Sequence, residues 1–164
     1  MALKYWLRGV VLENNIPILE CLTINIGIMS DKSNLGCIIS SPTDGTFEYE
    51  VPEVTTLVSS ESVIKTDGAY DSLLNAMVTS IGLVTDGDIV YVPYDEESGT
   101  GDYRISPEYD GIEWVEGGNK PEDDSTYFVD YYYYSESYFV TAFYKTDKYN
   151  ARIFDYVKPV IEKV

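Results

Sequence analysis

The sequence predicts an all-β fold, and three observations carry the expectation. Apolar and polar residues alternate with the two-residue period of a half-buried strand. Turn residues recur between the alternating runs. The one helical candidate, residues 70–77, is short, has no strong cap beyond Asp71, and reads as a turn or a single helical turn. In residues 21–28, Leu22, Ile24, Ile26 and Ile28 share one face. In residues 46–51, Phe47, Tyr49 and Val51 point one way and Thr46, Glu48 and Glu50 the other. Similar runs occupy 4–12, 36–41, 59–65, 78–84, 88–92, 102–106, 111–115, 126–134 and 137–145. Between them stand turns such as 42–45, 85–88, 97–101 and 116–119. Many short strands about 8–12 residues apart point to a sandwich or barrel. The expected inward residues are Ile24, Ile26, Phe47, Ile112, Trp114 and Val129.

Composition narrows the chemistry. The chain has 164 residues, 45% hydrophobic and 24% charged, which is ordinary for globular proteins. Eleven Lys and Arg stand against 28 Asp and Glu, a formal charge of −17, which argues against nucleic-acid binding. Histidine is absent, which removes Ser-His-Asp and Cys-His catalysis, HExxH zinc helices and a histidine base. Carboxylate-pair hydrolysis, lysine nucleophiles and calcium sites stay open. The acidic runs 86–88, 95–97 and 122–124 lack EF-hand spacing and read as solvated loops or, if two converge, calcium ligands. No cofactor is expected. Cys21 and Cys37 have neither zinc nor CxxC spacing and are expected as core thiols, with one bridge as the alternative. No apolar run reaches about 18 residues, and MALKYWLRG lacks the long apolar region of a signal peptide. The expectation is a soluble chain, made in a cytoplasm, with no membrane insertion.

Two segments carry family resemblances. Residues 7–18 contain Gly9-Val10-Val11 and a strand led by Pro17; the run 22–28 follows, then Thr43-Asp44-Gly45-Thr46-Phe47. This pattern, over residues 7–51, is similar to the carboxypeptidase-regulatory-like (transthyretin-like) β-sandwich. The second segment runs from Gly101-Asp102-Tyr103 through Gly111-Ile112-Glu113-Trp114 to Pro121 and Tyr127-Phe128-Val129-Asp130-Tyr131. With its upstream part it covers 59–134 and resembles the immunoglobulin-like repeat of bacteriophage tail proteins, of baseplate J-like and tail-fibre type. It departs from that repeat at Asp124, where glycine is usual. The resemblances imply one or two immunoglobulin-like or transthyretin-like antiparallel sandwiches: 1–58 transthyretin-like, 59–145 immunoglobulin-like, and 146–164 a C-terminal arm or terminal strand. They imply a non-enzymatic structural subunit of a phage-like virion (baseplate, tail or surface decoration), assembled in the host cytoplasm. Its partners would be other virion or tail proteins and copies of itself. The alternative is a receptor- or carbohydrate-binding module that takes a host-surface glycan.

Two groups of residues are the expected contact sites. The ladder at 127–134 places Val129, Tyr131 and Tyr133 on one face and Phe128, Asp130, Tyr132 and Tyr134 on the other. Aromatics on both faces suit a protein interface, a sugar-stacking platform, or cross-strand pairs on a solvated sheet. Tyr131, Tyr132, Tyr133, Tyr134 and Tyr138 are the candidates there. The second group is Ile153, Phe154 and Tyr156. Residues 146–164 carry +1, whereas 59–145 carry −14, so this segment has reason to lie against an acidic surface.

Overall fold

The structure, a computed structural model, describes residues 2–143 and 152–164, excepting the side chains of 152–156. The described chain is all-β, and no helix among these residues is long and apolar enough to cross a membrane. It divides into two compact units, Met1–Val54 with Glu136–Val164, and Thr55–Ser135. These divisions differ from the expected ones at 58/59 and 145/146. The cause is strand pairing: the C-terminal strands complete sheets that the first 54 residues begin.

The first unit has two main sheets. One orders β16 (Val160–Lys163), β1 (Leu3–Val10) and β6 (Thr46–Val51). The other orders β15 (Arg152–Val157), β14 (Tyr138–Phe143), β4 (Thr23–Ile28) and β5 (Asn34–Ile39). A small hairpin joins β2 (Leu12–Glu13) to β3 (Ile16–Pro17). Residues 152–157 and 160–163, read from sequence as an arm or a terminal strand, are therefore strands, antiparallel to β14 and β1. Tyr5, Leu7, Ile24, Ile26, Val51, Tyr138 and Val140 are buried. Phe47 is only half-buried. It pairs with Gly9, whose missing side chain admits the ring, and it lines a cavity of about 690 Å³ with Leu22, Ile24 and Val140. The turn before β6 closes as its residues require: Gly45 has φ 72°, and the Asp44 carboxylate accepts from Thr46 N at 3.0 Å.

Both cysteines are free and exposed, contrary to the core expectation. Cys37 pairs with Asn25 in the β4–β5 ladder, which places it four strand positions, about 13 Å, from Cys21. A disulfide spans at most about 7 Å between Cα atoms, so this register forbids the bridge.

The second unit has seven strands in two sheets. β10 (Ile89–Val90), β9 (Val78–Asp86), β13 (Thr126–Tyr134) and β7 (Thr55–Ile64) form one. β11 (Tyr103–Ile105), β12 (Gly111–Trp114) and β8 (Tyr70–Ser72) form the other. Residues 74–77 bend as expected, whereas β8 takes the first three residues of the turn expected at residues 70–77 and pairs with β12. Its short sequence hides the strand because its buried residue is Asp71. Val63, Val84, Tyr127, Val129 and Tyr131 of the larger sheet pack with Ile112, Trp114 and Tyr103 of the smaller. Trp114 sits at the centre, edge-on to Tyr91 at 5.2 Å and Tyr127 at 5.4 Å between ring centroids. Pairing β13 between β7 and β9 differs from the ABED/CFG order of immunoglobulin domains. Asp124 takes φ 65°, the left-handed conformation for which glycine is the ordinary choice.

Candidate functional site

The period of β13 decides which ladder residues reach solvent. Tyr127, Val129 and Tyr131 point into the core, and Tyr133 packs half-buried against it. Tyr134 and, in the first unit, Tyr138 are also buried. Tyr131, Tyr134 and Tyr138 are thus core residues and not the surface contacts expected of them. The Tyr131 hydroxyl donates to the Glu61 carboxylate and accepts from Asn75 Nδ2 at 2.9 Å, while Leu74 N donates to the other Glu61 oxygen at 2.7 Å. Burial and then the Glu61 bond push its pKa up to about 12. The side chains of Ile153, Phe154 and Tyr156 lie outside the described residues; their backbone forms β15.

What the ladder does expose is one sheet face. Phe128 and Tyr132 point outward, 43% and 41% exposed. Register sets Tyr132 beside Leu57, Thr126 beside Ile64, and Asp130 beside Leu83, all three aliphatic neighbours exposed. Ser62 and Thr85 flank Phe128, and Ser80 flanks Tyr132. Asp130 is the one charge on this patch of described residues, and its carboxylate accepts from Ser60 N at 2.6 Å. That bond is local in origin: β7 carries an extra residue where Val129 pairs with Glu61 and Tyr131 with Val58, and Ser60 takes φ 54°. The setting is acidic, since residues 55–135 hold three cations and 17 acids, or −14.

A second constellation escaped the sequence reading. Lys65 and Asp71 are fully buried, with Nζ 3.7 Å from Oδ2. Trp114 Nε1 and the Tyr127 hydroxyl donate to Oδ2 at 2.7 and 2.9 Å; Thr66 N and Oγ1 donate to Oδ1 at 2.7 and 2.8 Å. Lys65 Nζ donates to the Thr66 and Gly68 carbonyls. Burial would raise the Asp71 pKa, but the donors from Thr66, Trp114 and Tyr127 outweigh it and hold the carboxyl below its ordinary 3.8. Each oxygen already has two donors, so the group fastens the core and has no lone pair free for a substrate. Its only sequence signal is a charge at each end of a short turn, Lys65 and Asp71, which ordinarily reads as solvent-exposed.

Several acidic loop residues hold other parts of the fold: Asp123 lies 3.8 Å from Lys65 Nζ. Asp102 accepts from Val92 N at 2.8 Å and Asn119 N at 2.7 Å, joining two loops, and Asp95 accepts from Glu97 N at 2.9 Å within its own turn. Among the described residues, no group of three or more acidic or cysteine side chains is placed to hold a metal ion. No protein-family model, curated protein or solved structure matches the chain.

Proposed function

We propose that the chain is a non-enzymatic structural subunit of a phage-like virion, in its baseplate, tail or surface decoration, and that it works through protein–protein contacts. The observation that carries the contact role is the outer face of the β10–β9–β13–β7 sheet. Exposed Leu57, Ile64, Leu83, Phe128 and Tyr132 share that face on a unit of charge −14. A chain this acidic has ample charge for its surface, so five large apolar side chains on one face are a cost unless something covers them. The virion setting rests on the tail-repeat resemblance of residues 59–134. The most strongly perturbed group, Tyr127, and the buried Asp71 to which it donates are sealed in the core, which supports a role without catalysis. Purified particles analysed by mass spectrometry and by a density map test the proposal. The expected result is this chain at fixed stoichiometry, and recovery only in the soluble fraction would overturn it.

The exposed rings also favour a second reading, glycan binding, because Phe128 and Tyr132 stand four residues apart on one face, about 13 Å. Binding on a glycan array that disappears in Tyr132→Ala would select that reading over the structural one.

A further inference from the structure

We propose that the first unit takes up an extended strand of a partner protein along the free edge of β1, with alternate apolar side chains of that strand entering the cavity behind it. This contact is separate from the β10–β9–β13–β7 face and lies wholly within the first unit.

The first unit lacks half a strand. β1 pairs with β6 from Tyr5 to Val10 on one side, but with β16 only from Leu3 to Trp6 on the other. The two residues before Val160, Lys158 and Pro159, belong to the crossing from β15 and not to this sheet. Leu7–Val10, about 13 Å of strand, therefore has a neighbour on one side only. The backbone groups of successive strand residues point to opposite sides. Val11 N donates to Gly45 O on the β6 side, and Ala2 O accepts from Val164 N on the β16 side, so the even-numbered residues of β1 face β16. Arg8 and Val10 each turn an N–H and a C=O toward the vacant position, and among the described residues neither backbone has a partner there. Such an edge is a template for another strand.

The cavity of about 690 Å³ opens at the same place. Arg8 and Val10 line it, and so do Ile24, Phe47, Val140 and Ala142. Leu7 fills the interior beneath its own part of β1, whereas Gly9, next on that side, has no side chain to do so. A strand added here would set every second side chain over this apolar lining, where water finds few polar partners. A small apolar molecule would fill the volume without using the backbone groups at its rim; a strand uses both, with main-chain bonds for affinity and side-chain pockets for specificity. Charge has little part in the choice. The first unit holds eight cations and eleven acids, −3 against −14 in the second, and the Arg8 guanidinium is already held by Glu48 and Glu162 at 3.0 and 2.8 Å. What is read is a pattern, apolar at every second residue and polar between. The described segments of this chain outside its strands are short or, as at 94–101 and 115–125, acidic and without that alternation, so the strand comes from another protein.

The test is a titration of the full chain, followed by amide hydrogen exchange and NMR, with the acetylated and amidated peptide KTVTITVTK at up to about 1 mM. The control peptide KTTVIVTTK has the same composition with its apolar residues in one block. In the free chain the amides of Arg8 and Val10 should exchange fast while those of Leu7 and Gly9 are protected, and the alternating peptide should protect Arg8 and Val10. The control should bind at least about tenfold more weakly, and a change from about 20 to about 500 mM NaCl should move the affinity less than about threefold. Val10→Pro removes an N–H that β6 does not use, and Ala142→Phe fills the cavity from the other sheet; each should weaken binding at least about tenfold. Near-ultraviolet circular dichroism checks that both variants keep the native core. Protection of Arg8 and Val10 in the free chain overturns the proposal, as do absence of binding, equal binding of the two peptides, or binding that survives both variants. A dimer of the chain alone that disappears in Val10→Pro overturns the assignment to another protein. Absence of peptide binding in a chain that is nonetheless found in particles removes the added strand and leaves the structural role intact.

Discussion

Replacing Asp71 with alanine takes the acceptor from four hydrogen bonds at once. Lys65, fully buried 3.7 Å away, loses its buried counterion and is left with the half-exposed Asp123 carboxylate at 3.8 Å. Breaking a buried ion pair from one side costs about 3–5 kcal/mol, and each orphaned buried donor about 1–3 kcal/mol, with the contributions less than additive. We expect a loss of about 5 kcal/mol. That equals the lower end of typical domain stability, so the second unit should lose its fold or melt roughly 20 °C or more below wild type. Lys65→Met should cost less, about 1–2 kcal/mol, because Asp71 keeps all four of its hydrogen-bond donors. The pair Lys65→Met/Asp71→Leu should recover much of the loss, since apolar replacement of both partners removes the buried charges together. Urea denaturation followed by Trp114 fluorescence, in a Trp6→Phe background that silences the first unit, gives each value. A loss under about 1 kcal/mol for Asp71→Ala, or a larger loss for Lys65→Met, would refute the reasoning.

Other outcomes follow from the same structure. The depressed Asp71 pKa stabilises the fold above the unfolded value of about 4, and this contribution disappears as pH falls through the folded value; Asp71→Asn should flatten that acid limb. Burial raises the pKa of Tyr91, Tyr103, Tyr127 and Tyr131, so their contribution is full below about pH 10 and fades as pH rises through the Tyr131 value of about 12; tyrosinate absorbance at high pH should climb together with unfolding. Both Cys21 and Cys37 should react with a thiol reagent in the native protein, and the untreated mass should show no loss of two hydrogens. Trp114→Ala should cost about 3–5 kcal/mol, whereas Tyr132→Ala should stay within about 1 kcal/mol; equal losses would mean that Trp114 is not the centre of the core.

The strands and the inward set Ile24, Ile26, Ile112, Trp114 and Val129 were readable from alternation, because a two-residue period is local information. So was the outward pair Phe128 and Tyr132. Tyr134 departs from the pattern at the end of a strand whose neighbours carry extra residues: β9 gains one between Leu83 and Ile81 and another between Ser80 and Val78. Bulges on a partner strand leave no trace in the alternation of the strand they adjoin. The Lys65–Asp71 constellation was illegible for a related reason, since its donors Trp114 and Tyr127 stand 43 and 56 residues away from Asp71. The division of the chain was hidden likewise: β14 finds its partner β4 more than 100 residues upstream, and only tertiary pairing joins them. The cysteines were misplaced because residue type suggested burial, whereas Cys21 stands just before β4 and Cys37 at an exposed position of β5.

The course of the chain has a consequence for how the protein is made. The first unit is interrupted after Val54 and resumes at Glu136, and within the second unit Thr55 pairs directly with Tyr134. The inserted segment thus begins and ends at neighbouring positions on adjacent strands, about 5 Å apart. During synthesis it emerges whole while its host still lacks β14, β15 and β16, so on the ribosome the later-encoded unit is the first able to close. The earlier strands β1 and β4 must wait, each with an edge open, for partners encoded after the insert. A premature stop anywhere past Ser135 would release a finished insert on an unfinished, aggregation-prone host. Conversely, a two- or three-residue bridge from Val54 to Glu136 should excise the insert and bring β6 and β14 much closer in sequence, so that the host folds faster than in the parent chain.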